Sequence, residues 1–544
     1  MTTKVLAVRF PVVLKAVIVS FLIPTSNCFV ELTISHRRNP RLDPLTLCST
    51  HLLPSKVPSR SPVRIIHEPH FQLSAHSQQR AGESVARDKK HTARSLAVEA
   101  LLLQSHLPIA DRLSSLPSFT ALSLRDRAFC RLLIATVERR FGQIDALLQD
   151  RLDRKPPAFV HAVLRVGVAQ IVFLDTPPHA AVQATVSLVR HRRHRGLVNA
   201  VLRRISATTT NNNDGDPNAT ITCNAAPWLV QALTKDWGVA TTEQIIACAM
   251  EESPRTITVH PERVVEAGYA EEICEAVPYV AAQFVEAEIL PQGSIRVRNQ
   301  PGPINEWPMF DDGVWWCQDP SATLPALAIQ SALGREEHSS SSSPPSVIDL
   351  CAAPGGKTAQ LVSFGYHVTA VDASSQRSKR LRENMERISS SSKTWRSLVA
   401  DGTVWMDAET SSRADAVLID VPCSATGTAS KRPDVLRKEV DTMRELLPLQ
   451  QKLAQHAIDH LVRAGGIVVY ATCSLLQCES EDQVRTLLAT NANRLEVVPF
   501  EPGTIPGFDR AITNEGWMRV LPGSFPEIGA CDGFFVARLR KIAA

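Results

Sequence analysis

From Gln318 onward the chain alternates short apolar runs with helix-forming stretches, and this alternation restricts its fold more than any other feature. Val347 to Leu350, His367 to Val371, Ala416 to Ile419 and Gly466 to Tyr470 are each followed by a loop of polar or small residues. That spacing predicts a parallel sheet with crossover helices, an α/β Rossmann-like arrangement. Nucleotide-type ligands of such folds sit at the carboxyl ends of the strands. The first run leads into the Gly-rich segment DLCAAPGGKT (Asp349 to Thr358), with a helix predicted over Thr358 to Ser363. Gly355 and Gly356 let the backbone approach a ligand closely, and Pro354 stiffens the turn. The GxxxxGK[ST] pattern of a phosphate loop is missing, which argues against an NTPase. Asp372 ends the second run, suited to ribose hydroxyls, and Asp401 precedes Gly402 at a third strand end, suited to an adenine amino group. The loop with both acids points to S-adenosylmethionine.

Two further segments carry thiols at the same predicted sheet edge. Cys423 lies in DVPCSATGT (Asp420 to Thr428) and Cys473 in YATCSLL (Tyr470 to Leu476). Carbon 5 of cytosine is a poor nucleophile. A thiolate added to carbon 6 makes carbon 5 enamine-like, able to attack a methyl sulfonium. A free thiol ionises only near pH ~8.5, so it needs help from its surroundings. Two thiols beside a methyl-donor loop suit this chemistry. Asp420 is placed to hydrogen-bond the base or to lie beside the donor. Lys357 either adds charge to the site or is a solvated lysine. Lys431-Arg432-Pro433-Asp434, just beyond, is placed to hold a substrate backbone.

The rest of the chain divides by pattern. Residues 83–207 read as helices, with apolar stripes along Ala93 to Leu103, Arg127 to Leu148 and Phe159 to Leu174, a new helix near His179, and a last one opened by Gly196. The run Arg190 to Arg195, with Arg203 and Arg204, is either a phosphate contact or a solvated face. Residues 208–222 read as a linker and 223–318 as a small α/β segment, with helices around Trp228 to Trp237 and Glu243 to Met250 and strands at Thr256 to Val259 and Ser294 to Val297. The catalytic segment is 319–544, with serine-rich insertions at Ser339 to Pro345 and Ser389 to Ser392. Twelve cysteines show neither CxxC pairs nor a His ligand pattern, so no metal site and no disulfide framework is expected. Residues 1–82 hold ten Lys/Arg against three Asp/Glu; the whole chain being +4, the remainder is −3. Nucleic-acid binding must therefore use local patches. Val5 to Ile23 is too short and interrupted for a membrane span, and stable membrane association is not expected.

These motifs together resemble the RsmB/Sun group of RNA cytosine-5 methyltransferases. The resemblance rests on DLCAAPGGKT, VDAS (Val371 to Ser374), ADG (Ala400 to Gly402), DVPCSATGT, KRPD, LQ (Leu449-Gln450), YATCSLL and DGFFVARL (Asp532 to Leu539), with QDPSATLPALA (Gln318 to Ala328) ahead of them. TPPHAAVQATV (Thr176 to Val186) and GLVNAVLR (Gly196 to Arg203) resemble the NusB-like domain of this subgroup. The resemblance implies an all-α NusB-like RNA-binding domain, a small α/β middle domain and a C-terminal Rossmann-like methyltransferase domain. It implies Cys473 as nucleophile and Cys423 as an aid to product release. It assigns cofactor binding to Cys351, Ala352, Ala353, Pro354, Gly355, Gly356, Lys357, Asp372, Asp401 and Asp420. Its substrate is a cytosine in small-subunit rRNA, taken out of its stack.

The same chemistry on tRNA, or an idle RNA-binding assembly factor, are the alternatives. A DNA methyltransferase is disfavoured by the second thiol motif. Two departures stand out. Gln477-Cys478-Glu479 replaces part of an acidic pair, leaving Glu479 and Glu481, with Cys478 near enough in sequence to oxidise with Cys473. His260 stands where an RNA-contacting Asn is usual. The leader resembles the bipartite plastid leaders of algae with secondary plastids. The expectation is a monomer in an organelle, plastid before mitochondrion, or in the cytoplasm if the segment is no leader.

Overall fold

The computed structural model describes residues 91–103, 107–209, 221–334, 343–389, 394–406 and 413–542. The expected leader, residues 210–220 of the expected linker, and the serine runs at 339–342 and 390–392 lie outside them.

Described residues up to Thr209 are all α, as the periodicity predicts. Thr92 and Ser95 form a capping box that opens the first helix, Ala93–Leu102. Leu96 and Ala97 of this helix pack with Leu133, Ile134 and Val137 of Leu124–Arg139, Val163 and Leu164 of Ala158–Val168, and Val198 and Leu202 of Arg192–Thr209. All nine are buried, and apolar burial at about 25 cal/mol per Å² holds the bundle together. Three details depart from expectation. The stripe from Arg127 to Leu148 is two helices, Leu124–Arg139 and Phe141–Gln149, because Arg140 leaves the helical conformation (φ −108°, ψ 22°). The helix from Ala158 passes at Ala169–Phe173 into a π-helical turn. The last helix begins at Arg192, not at Gly196, so four residues of the basic run form its first turn.

The next segment holds a separate antiparallel sheet. Its strands are β1 (Arg255–Val259), β2 (Glu286–Ile289), β3 (Ile295–Arg298) and β4 (Trp315–Cys317), in the order β2-β3-β1-β4. Trp315 is fully buried against Phe284, Trp307 and Phe310. The sequence did not suggest β2, which is four residues long and exposed along its whole length, or the three-residue β4.

The C-terminal sheet contains β5 (Ser346–Leu350), β6 (His367–Asp372), β7 (Trp395–Val399), β8 (Ala414–Asp420), β9 (Val462–Thr472), β10 (Leu495–Val497), β11 (Met518–Val520) and β12 (Phe534–Lys541). Its order is β10-β12-β9-β8-β5-β6-β7, with β11 beside β12. The five strands β5 to β9 are parallel to one another, as the sequence predicts. The far edge is antiparallel. Parallel pairing needs a crossover long enough to return the chain, and from Leu495 onward no α-helix separates the strands. β5 runs to β6 on one side while β8 lies on the other, so the order reverses between β5 and β8 and opens a crevice at their carboxyl ends.

The helical region is tied to this sheet's loops by buried charges. Glu138 accepts from Arg112 (2.7 Å) and from Arg437 (2.7 Å) in the loop beyond Cys423, and the Arg437 guanidinium lies 3.2 Å from the centroid of the Phe141 ring. Arg139 donates to the carbonyls of Ala249 and Ser430. Removing one member of a buried charge group leaves the others unpaired, at a cost of about 3–5 kcal/mol. Glu138→Ala is expected to lower stability by that amount, measured as an earlier denaturation midpoint of the full chain, whereas Glu99→Ala at the exposed pair with His91 should change it by less than ~1 kcal/mol.

Candidate active site

Four parallel strands bring the acidic candidates to one edge. β5 leads into the Gly-rich loop, β6 ends at Asp372, β7 precedes Asp401, and β8 ends at Asp420. Register supports the alignment, with Leu350 opposite Ile419 and Asp372 opposite Val399. Cys351 adopts a left-handed conformation (φ 59°), the Ala353–Pro354 peptide is cis, and Gly355 (φ 103°) starts the helix Gly356–Ser363. A side chain at Gly355 would be strained at that φ and would press Leu381 at 3.2 Å, so the position needs glycine.

Asp372 is buried and accepts from the backbone N–H of Ala353 (3.2 Å) and of Ser374 (2.9 Å), with Arg377 at 3.3 Å. It therefore braces the loop. A carboxylate has about four lone-pair sites, so capacity for ribose hydroxyls remains. Ser374 also caps the next helix, Ser375–Ile388, through the N–H of Arg377, worth about 1 kcal/mol. Asp401 is exposed and holds a turn by accepting from the N–H and hydroxyl of Thr403, bonds that keep its carboxyl below the usual range. Asp349, not singled out from the sequence as a site residue, is fully buried behind the loop and accepts from Thr358 (2.6 Å); burial pushes it up to about 7. A glycine cradle followed by open carboxylates suits a nucleoside bearing a sulfonium.

The thiols meet. β8 and β9 are parallel neighbours, with Asp420 opposite Ala471, and each is followed by a short loop bearing a cysteine. Cys423 Sγ lies 3.5 Å from Cys473 Sγ. Lys357 Nζ donates to Asp420 at 2.8 Å and lies 5.3 Å from the centroid of the Phe534 ring. Of the two sequence readings of Lys357, the solvated one fails: only 14% of its side chain is exposed. The hydrogen bond with Cys423, burial, and the negative groups at Cys423 and Asp420 push the Cys473 thiol well up, while Lys357 acts in the opposite direction. Cys478 lies instead against Met443 (3.9 Å), so the sulfur that faces Cys473 is Cys423.

Backbone contacts fix this geometry. The N–H of Gly427 donates to the Cys473 carbonyl (2.9 Å), and its carbonyl accepts from the N–H of Gly533 (2.9 Å) at the start of β12. A Cβ at Gly427 would lie 2.2 Å from Gly533 O and 2.7 Å from Cys473 O. The acids left beyond Cys473 also act here. Glu481 binds Arg519 through both oxygens (2.9 and 2.7 Å), and Arg519 donates to the Ser474 carbonyl (2.7 Å). Glu479 is fully buried among Ser424, Ser474 and Gln450.

Three other candidates resolve differently. Lys431 does not face a substrate. It is clamped between Asp319 and Asp532 (3.1 Å), because those buried acids need a cation, and burial with Asp319 pushes Asp532 up to about 7. Arg432 pairs with Asp434 at 3.2 Å. His260 is buried and pushed down to about 4 by that burial, so it carries no charge at neutral pH. Arg190, Arg192, Arg193, Arg195, Arg203 and Arg204 are all exposed, and none forms an ion pair among the described residues. Among the described residues no cluster of His, Cys, Asp or Glu is fit to hold a metal, and no helix is long and apolar enough to cross a membrane.

Removing Cys423 removes the largest influence raising the Cys473 thiol. Cys423→Ala should therefore speed alkylation of Cys473 by iodoacetamide at pH 8, and Lys357→Met should slow it. Peptide mass mapping against time and pH reads both.

Comparison with known proteins adds a lineage to this geometry. Residues 340–540 match a family model described as 16S rRNA methyltransferase RsmB/F, and residues 91–207 match the NusB family. The chain is 32% identical over 437 residues to a probable ribosomal RNA small subunit methyltransferase B of Synechocystis sp., covering 77% of this chain and 92% of that protein. It is 32% identical over 431 residues to ribosomal RNA small subunit methyltransferase B of Xanthomonas campestris pv. campestris, covering 77% and 89%. The crystal structure of PH0851 shares the fold, with a TM-score of 0.62 at 22% identity over 83% of this chain and 99% of that one.

Proposed function

The chain belongs to the family of ribosomal RNA small subunit methyltransferases B, which depend on S-adenosylmethionine, and from that premise we propose that it forms 5-methylcytosine in small-subunit rRNA through a covalent adduct of Cys473 with carbon 6 of the target base. The observation that carries this reading is the 3.5 Å approach of the Cys423 and Cys473 sulfurs at the ends of adjacent strands. S-adenosylmethionine, when bound, supplies an electrophilic methyl group. Cys351 to Lys357, Asp372, Asp401 and Asp420 are the residues assigned to hold it.

Each remaining step belongs to the protein. Cys473 gives its proton to solvent, and its sulfur bonds to carbon 6 as the carbon 5–carbon 6 double bond opens, which makes carbon 5 nucleophilic. Lys357 favours the thiolate by its charge and is itself held by Asp420. After methyl transfer the proton on carbon 5 leaves to a base, and the sulfur–carbon 6 bond breaks to restore the thiolate. Cys423 assists release in this reading, which its 3.5 Å distance from Cys473 supports. The proposed setting is an organelle, plastid before mitochondrion, supported by the basic, acid-poor composition of residues 1–82.

Cys473→Ala should abolish methylation and adduct, whereas Cys423→Ala should accumulate a protein–RNA adduct visible on denaturing gels. The reverse pattern would exchange the two roles. Bisulfite sequencing of organellar and cytosolic RNA, with and without the protein, should show loss of one site in an organellar small-subunit rRNA. A site lost from tRNA would move the substrate, and no lost site would favour an assembly factor.

A further inference from the structure

One fully buried carboxylate touches the residue that follows each thiol. Glu479 Oε1 accepts from the N–H of Ser424 (2.9 Å) and from Gln450 Nε2 (3.1 Å), and Oε2 accepts from the hydroxyls of Ser424 (2.5 Å) and Ser474 (2.5 Å). The same Gln450 Nε2 reaches the carbonyl of Pro422, just before Cys423 (2.9 Å). The Glu479 carbonyl accepts from the buried hydroxyl of Tyr470 on β9 (2.8 Å). Every donor to the carboxylate is uncharged, and Glu479 forms no ion pair among the described residues. A buried carboxylate without a cation is costly unless its hydrogen bonds are complete. Here four donors fill them, three from the two cysteine loops and the fourth from Gln450, which also binds the Pro422 carbonyl.

We propose that Glu479 is a positioning residue for the methyl transfer, acting through Ser424 and Ser474 to set the separation and direction of Cys423 and Cys473. The proposal rests on the assignment of those thiols above. Each serine adjoins its cysteine, so a shift of either hydroxyl moves a sulfur. A misplacement of about 1 Å at a reacting centre costs on the order of 100-fold in rate. Glutamine at this position keeps the shape but replaces an acceptor of two hydroxyl protons with an amide that itself donates. Both serines must then turn from donors into acceptors, their hydroxyl protons are redirected among Ser424, Ser474 and Thr426, and the short contacts that fix the two loops lengthen. Glu481 shares none of these contacts. It holds Arg519, so the two acids divide the work between the thiols and the strand behind them.

The test uses the full chain with S-adenosylmethionine and a small-subunit rRNA transcript, plain for turnover and carrying 5-fluorocytidine for trapping the adduct. Glu479→Gln is expected to slow both methylation and adduct formation on the order of 100-fold, with KM for RNA and for S-adenosylmethionine within about twofold and the melting temperature little changed. Adding Ser474→Ala to Glu479→Gln should cost little more, because both act on one contact. Turnover within about threefold of the parent, or a lowered melting temperature with unchanged kcat in the folded fraction, overturns the proposal. If Glu479→Gln does not fold, Ser424→Ala and Ser474→Ala singly should each slow adduct formation about tenfold or more, and parental rates in both overturn it. Cys473→Ala separates the two readings. Methylation that survives it removes the nucleophile assignment itself, whereas an inactive Cys473→Ala beside a fully active Glu479→Gln removes only the positioning role.

Discussion

The site depends on a place where three backbones meet with no room for a side chain. Gly427 lies between the carbonyl of Cys473 and the peptide of Gly533, and its two hydrogen bonds join both cysteine loops to the residue that precedes β12. Side chains can reorient around a perturbation, but a backbone crossing at this distance cannot. The position of each sulfur therefore follows from the sheet. β8 and β9 set where the loops leave, and the crossing at Gly427 sets how far they diverge.

Electrostatics then works within a fixed frame. The crevice gathers Asp349, Asp372, Asp420 and two thiols, a set that resists holding several negative charges together. Lys357 at Asp420 and Arg377 at Asp372 are the cations in direct contact with it, and burial pushes Asp349 up toward neutrality. This arrangement favours one thiolate at a time. A reaction in which one sulfur bonds to carbon while its neighbour waits has the same requirement.

Much of this was legible in the sequence because the chemistry is local there. The Gly-rich loop, the strand-end acids and the two cysteine motifs are contiguous segments, and a parallel sheet brings the ends of consecutive strands together without further information. The helical class of the first region followed from apolar periodicity alone. Partnerships between distant residues were not legible. Nothing in the sequence pairs Lys431 with Asp319 and Asp532, or Glu138 with Arg437, because those meetings depend on the packed loops. Glu479 was visible only as the remainder of an acidic pair, and Gln450 only as part of a two-residue motif. The antiparallel edge was also hidden, since a strand's own residues do not record the direction of its neighbour.

The clamp on Lys431 bears on how strongly the protein should respond to salt. Affinity for a nucleic-acid backbone falls with ionic strength in proportion to the number of cations that displace condensed counterions. A lysine already neutralised by two internal carboxylates displaces none. Arg432, paired with Asp434, contributes little more. The basic motif closest to the thiols is thus electrostatically silent toward RNA. A salt titration of binding would count the exposed arginines elsewhere on the chain, and its slope would be shallower than a tally of Lys and Arg near the active site implies.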